Sequence, residues 1–188
     1  MPLNFTAFDG TARLAAGSLP IVAERCKALL DSEPNASPII YDDSTGRPVD
    51  VDYRGTTHEV LARLPSTDDA PAARRGPGRP KLGVVAREVT LLPRHWDWLA
   101  SQPGGASVAL RRLVESASRE NLDADRVRQA SEAVDRVMLA LAGNLAGYEE
   151  ASRAFHRREA ERFHALTEAW PADVRDYVRS LAAAVLHA

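Results

Sequence analysis

The chain has 188 residues, 45% hydrophobic and 27% charged, the make-up of an ordinary globular protein rather than a fibrous or low-complexity one. No run is long and apolar enough to span a bilayer, no secretory leader pattern opens the chain, and Cys26 is its single cysteine. An intrachain disulfide is therefore excluded, and a reducing, cytoplasmic setting is expected. The net charge of −2 conceals an asymmetry: residues 1–69 hold 6 basic and 11 acidic side chains, residues 70–119 hold 9 and 3, and residues 120–188 hold 9 and 12.

Leu3–Phe8 alternates loosely and runs into Asp9-Gly10, a tight hairpin signal, with Thr11–Ala15 as the return strand. Ser18 is a natural N-cap for a helix with Pro20 in its first turn and Ile21, Val22, Cys26, Leu29 and Leu30 as its apolar stripe. Pro38–Tyr41 and Val49–Tyr53 read as strands joined across Asp42–Gly46, and Thr56 with Glu59 fits a capping box for a short helix ending at Leu64. Residues 1–64 thus form a small ββαββα unit. Asp42, Asp43, Asp50 and Asp52 invite a metal reading, but on a hairpin they fit a solvated turn and strand face better.

Residues 65–83 change character to Pro, Ser, Asp and Ala, then Arg-Arg-Gly-Pro-Gly-Arg-Pro-Lys. Such a stretch cannot bury enough apolar surface to order itself, so a flexible basic linker is expected, biased to extended conformation by its prolines. Residues 84–120 follow as a strand, a helix, a glycine turn and a second helix. Val84–Leu92 is β-branched and apolar between Gly83 and Pro93; Pro93 suits the first turn of a helix placing Trp96 and Leu99 inward. Pro103-Gly104-Gly105 breaks that helix, and Ser107 caps another in which Leu110, Leu113 and Val114 form the buried stripe, with Arg111 and Arg112 outside. Residues 121–188 are helical. A first helix starts near Asp123, carries Val127, Ala130, Val134, Met138 and Leu141, and ends at Gly143-Asn144. Tyr148, Phe155, Phe163, Leu166 and Trp170 anchor further helices, and a last one follows Pro171 and Asp173, giving a bundle expected to rest partly on the central module.

The fold class is therefore α+β: a small N-terminal unit, a basic linker, a strand–helix–helix centre and a C-terminal helical bundle. The basic centre suits an anionic partner such as nucleic acid; the other reading of its charge is docking onto the acidic flanks. Gly78-Arg79-Pro80, between Arg75 and Lys81, resembles the core of the AT-hook, whose extended backbone lies in the minor groove of A·T-rich DNA with arginine in its negative potential. Pro77 stands where the hook usually has arginine. Over Arg87–Ser118, the strand, the glycine-containing turn and the helix opening on Ser107 with apolar-Arg-Arg-apolar resemble the ribbon-helix-helix family. That resemblance implies a homodimer whose paired strands enter the major groove. The whole sequence is also similar to an uncharacterised bacterial family built around the block GRPKLGVVAREVTLLPRHWDWL.

From these readings the expected DNA-binding residues are Arg74, Arg75, Arg79, Lys81, Arg87, Thr90, Arg111 and Arg112. The expected dimer interface is Val85, Val89, Leu91, Trp96, Leu99 and Leu110. Strand alternation leaves two registers. Burying Val85, Val89 and Leu91 turns Arg87 inward and leaves Glu88 and Thr90 to face DNA; the opposite register frees Arg87 but exposes Val89 and Leu91. The first is hydrophobically better, and either puts most of the binding on arginine–phosphate contacts. Trp96 and Trp98 lie about 200° apart around a helix, so at most one is deep in a core. No His-Glu-x-x-His, cysteine pair, phosphate-cradling glycine loop or Gly-x-Ser-x-Gly elbow occurs. His156 and His164, eight apart and amid Arg157, Arg158 and Arg162, do not suit a cation. No enzyme, cofactor or metal is expected. A dimeric regulator or nucleoid-type DNA-binding protein is the leading expectation. The alternative is a dimeric adaptor or antitoxin-like protein that binds another protein through its N- or C-terminal region.

Overall fold

The computed structural model describes residues 4–65, 85 and 87–187. They divide into two compact units, one made of residues 1–65 and 124–188, the other of 66–123. The basic arm with Arg74, Arg75, Arg79 and Lys81, and the linker expectation around it, lie outside the described residues.

The first unit is built on a sheet of order β2-β1-β3-β4, all antiparallel, from β1 (Phe5–Asp9), β2 (Ala12–Gly17), β3 (Ile39–Asp42) and β4 (Pro48–Val49). Strand alternation sends Phe5 and Ala7 to one face and Phe8 to the other; Ile40 and Tyr41 divide in the same way. On the first face lies α1 (Leu19–Ser32), which buries Leu19, Val22, Ala23 and Cys26 at helical spacing. On the second face lie helices of the C-terminal half, α5 (Leu122–Ala142), α6 (Tyr148–His156), α7 (Ala160–Thr167) and α8 (Ala172–Leu186). Phe8 and Tyr41 share a core there with Val134, Met138, Phe155, Phe163, Val174 and Val178, and the Phe8 and Tyr177 rings are 5.3 Å apart. Covered on both sides, β1 buries Phe5 through Phe8 in succession.

Two polar contacts tie the β3–β4 turn to the helices. Tyr177 OH donates to Asp43 Oδ1 at 2.8 Å, and Arg136 donates to the Thr45 carbonyl at 2.6 Å. Gly46, with φ of +65°, is needed between them, since a Cβ there would meet the Ala133 carbonyl oxygen at 2.3 Å. The capping box of α2 (Thr57–Arg63) forms reciprocally between Thr56 and Glu59.

Several boundaries differ from the sequence reading. β4 stops at Val49 instead of running to Tyr53, because residues 50–54 turn their polar groups to side chains: Arg63 donates to the Asp52 carbonyl, and Arg54 chelates the Asp52 carboxylate. α5 starts at Leu122, so Asp123 falls in its first turn instead of capping it. The stretch holding His156 and His164 is not one helix. It breaks at residues 157–159, where Arg158 adopts φ of +57°, placing the two histidines on α6 and α7.

The second unit contains α3 (Pro93–Ala100) and α4 (Gly105–Glu120). Pro93 opens α3 as its fixed φ allows. α4 is preceded by Gly104 in left-handed conformation, φ +84°, so Ser107 lies inside the first turn and caps nothing. The described residues of the expected strand, 85 and 87–92, belong to no strand within the chain, and the sheet uses only N-terminal strands.

Candidate nucleic-acid interface

In the second unit α3 and α4 meet through Leu99 and Ala109, 2% and 7% exposed, and these are its buried apolar residues among those described. Both helices are amphipathic in sequence, yet much of their apolar surface faces solvent. Trp96 is 40% exposed, Trp98 51% and Val114 64%; Val85, Val89, Leu92 and Leu113 are exposed as well. Leu91 and Leu110 are half-buried and, with His95, Trp98, Leu99 and Leu113, line an apolar cleft of about 280 Å³. A second cleft of about 540 Å³ shares Trp98 and Leu113 and continues along α4 past Arg112, Ser116, Arg119 and Glu120. Two short helices with two buried contacts cannot offset the entropy of ordering them at roughly 1–2 kcal/mol per residue. The surface is one that lacks its covering.

Charge follows the same division. In the first unit Arg54, Arg63, Arg128, Arg136, Arg153, Arg162, Arg175 and Arg179 all form ion pairs. Arg179 also reaches Thr167 Oγ1 at 2.9 Å, and its bond to Glu168 holds that carboxyl below its usual range. Arg136 does the same for Glu132, and Arg54 for Asp52. In the second unit Arg87, Arg94, Arg111, Arg112 and Arg119 are exposed, and among the described residues none of them is ion-paired. Their charge is available to an external anion.

Of the residues singled out from sequence, Arg87, Thr90, Arg111 and Arg112 are thus exposed in one unit, with Val85, Val89 and Trp96. Leu99 is the member of the expected dimer set that a single chain already buries. Both faces of residues 87–90 are exposed, so neither strand register is selected. Sequence reasoning passed over Arg94, Arg119 and the Trp98–Leu113 cleft. The signal for the cleft was present, since Leu110, Leu113 and Ala117 continue one stripe along α4 beyond the reach of α3.

The acidic residues of the β3–β4 hairpin do not gather. Asp42 accepts from Ser44 N and Oγ, Asp43 from Tyr177, and Asp52 from Arg54. His156 Nε2 sits 3.1 Å from Asp135 Oδ1. Among the described residues no three His, Cys, Asp or Glu side chains form a group fit for a metal ion, and no helix is long and apolar enough to cross a membrane. Cys26 is buried, which raises its thiol pKa, and hydrogen-bonds with Tyr53.

The chain is an α+β protein with a well-packed sheet-and-helix unit and a small helical unit of exposed apolar and cationic surface. It belongs to a family of uncharacterised proteins conserved in bacteria, DUF2239, whose family model matches residues 4–182 and so takes in both units. No curated protein and no solved structure matches it.

Proposed function

We propose that the protein binds double-stranded DNA as a homodimer, as a regulator or nucleoid-type factor, with the second unit and the basic arm before it as the contact surface. The observation that carries this reading is the set of unpaired arginines, Arg87, Arg94, Arg111, Arg112 and Arg119, in a chain whose other unit pairs most of its own. An arginine fork left open matches a phosphate, and each phosphate neutralised releases counterions. Arg74, Arg75, Arg79 and Lys81 add four cations immediately upstream, of which Arg79 in Gly-Arg-Pro suits a narrow minor groove. The segment Val84–Leu92 then pairs with its copy as an antiparallel ribbon, giving its backbone groups partners. With Thr90 and Arg87 as the polar groups of the ribbon, base reading is weak and phosphate contact supplies most of the affinity.

Retardation of duplexes of graded A·T content tests this. Wild type should bind all of them, tighter as A·T content rises, and Arg79→Ala should lose that gradient. Failure to retard any duplex at low salt overturns the reading. The exposed Trp96, Trp98, Leu113 and Val114 favour one other: a non-enzymatic dimeric adaptor that binds a protein partner. It predicts no retardation.

A further inference from the structure

The geometry points to the partner that covers α4: we infer that α4 packs antiparallel on α4 of a second copy, closed by reciprocal Arg112–Glu120 ion pairs. The inference rests on the dimeric reading above and assigns it a second contact, separate from the ribbon.

Residues step about 100° around a helix, so Ala106, Leu110, Leu113 and Ala117 fall within about 60° of one another as an apolar seam. Arg112, Ser116 and Glu120, spaced by four, form a row along one flank of that seam. Arg111 lies about 140° from the seam's centre, facing away. Every residue from Arg111 to Glu120 is exposed, so the C-terminal ten residues of this helix carry their apolar seam without cover.

The flank row fits a copy of itself. In an antiparallel pair related by a twofold axis, a flank of one helix meets the same flank of the other. With the axis at Ser116, Arg112 of each copy stands level with Glu120 of the other, four residues either side of the centre. The small Ser116 and Ala117 side chains let the helices approach closely there. Arg112 has no ion pair within its own chain, and Glu120 is held in the row by accepting from Ser116 Oγ at 2.7 Å. Leu113 and Trp98, which line both clefts, then come under the partner helix. Arg112 serves the partner and Arg111, on the far side, remains for DNA.

The test is a charge-swap cycle on the full-length chain, read by the dimer dissociation constant from light scattering or sedimentation. Arg112→Glu and Glu120→Arg each set like charges against each other and should weaken the dimer by about tenfold or more, while the double variant should return to within about threefold of wild type. Circular dichroism confirms folding, and recovery in the double variant excludes damage to the fold. Singles that dimerise like wild type, or a double no better than the singles, overturn the inference. If Val89→Asp dissociates the chain while the swaps have no effect, the ribbon stands and the helix pairing falls. A wild type that stays monomeric at high concentration removes both, while DNA retardation separately decides the nucleic-acid reading.

Discussion

The two units of this chain treat the same residue types in opposite ways. The first buries Phe8, Phe155 and Phe163 almost completely and pairs eight arginines with carboxylates. The second leaves Trp96, Trp98, Val85, Val89 and Val114 exposed to solvent, and its described arginines stand alone. An apolar group in water and a cation without a counterion are both unsatisfied, and each is satisfied by a different kind of surface. The difference marks which unit holds the chain together and which one meets something else.

The largest effects should come from the first unit's core. Phe155→Ala, at a side chain 1% exposed in contact with Phe163, should cost about 3–5 kcal/mol in denaturant unfolding. The counterpart Val114→Ser in the second unit should leave unfolding within about 0.5 kcal/mol. Equal losses at the two positions would erase the distinction between the units.

A smaller effect is expected from Arg179→Ala, which removes the donor to buried Thr167 and to Glu168. A loss of about 1–2 kcal/mol is expected in the same assay. Arg111→Ala should leave stability unchanged, as its side chain has no partner to lose.

The acid response should be smaller again. Glu59, Glu132 and Glu168 are held below their usual range, by the Thr56 backbone and hydroxyl, by Arg136 and by Arg179 in turn. A carboxyl whose folded pKa is depressed contributes stability that is present above its unfolded value, near pH 4.3, and is lost as pH falls through the folded value. Stability measured from pH 6 to pH 3 should therefore decline mostly below pH 4.5, and by little, since these groups are exposed. Glu168→Gln should flatten that decline; an unchanged profile would detach Glu168 from it.

Much of the first unit was legible because its signals are local. Asp9-Gly10 marks a hairpin, Thr56 and Glu59 mark a cap, and the apolar stripes of α1 and α5 follow helical spacing. What the sequence did not show is that Phe8 and Tyr41 meet α5 to α8, because contacts between residues some 130 or more apart leave no periodic trace. Nor did it show the turn inside residues 156–164, where Arg158 takes a backbone conformation usually left to glycine. At the candidate interface Arg111 and Arg112 were readable from the stripe beside them, since a helix with Leu110 and Leu113 inward turns them out. Arg94 and Arg119 were not, because an isolated arginine looks the same whether or not a carboxylate folds up against it.

The central claim is that the unpaired arginines of the second unit hold DNA by their charge. Affinity of the full-length protein for one duplex across a salt series tests it most directly, comparing wild type with Arg111→Ala and with the ion-paired control Arg153→Ala. The account predicts a steep fall in log affinity with log salt. It also predicts a slope shallower by roughly one unit in Arg111→Ala, where one phosphate per site is no longer neutralised, and no change in Arg153→Ala. A near-flat wild-type slope, or equal responses from the two variants, would contradict it.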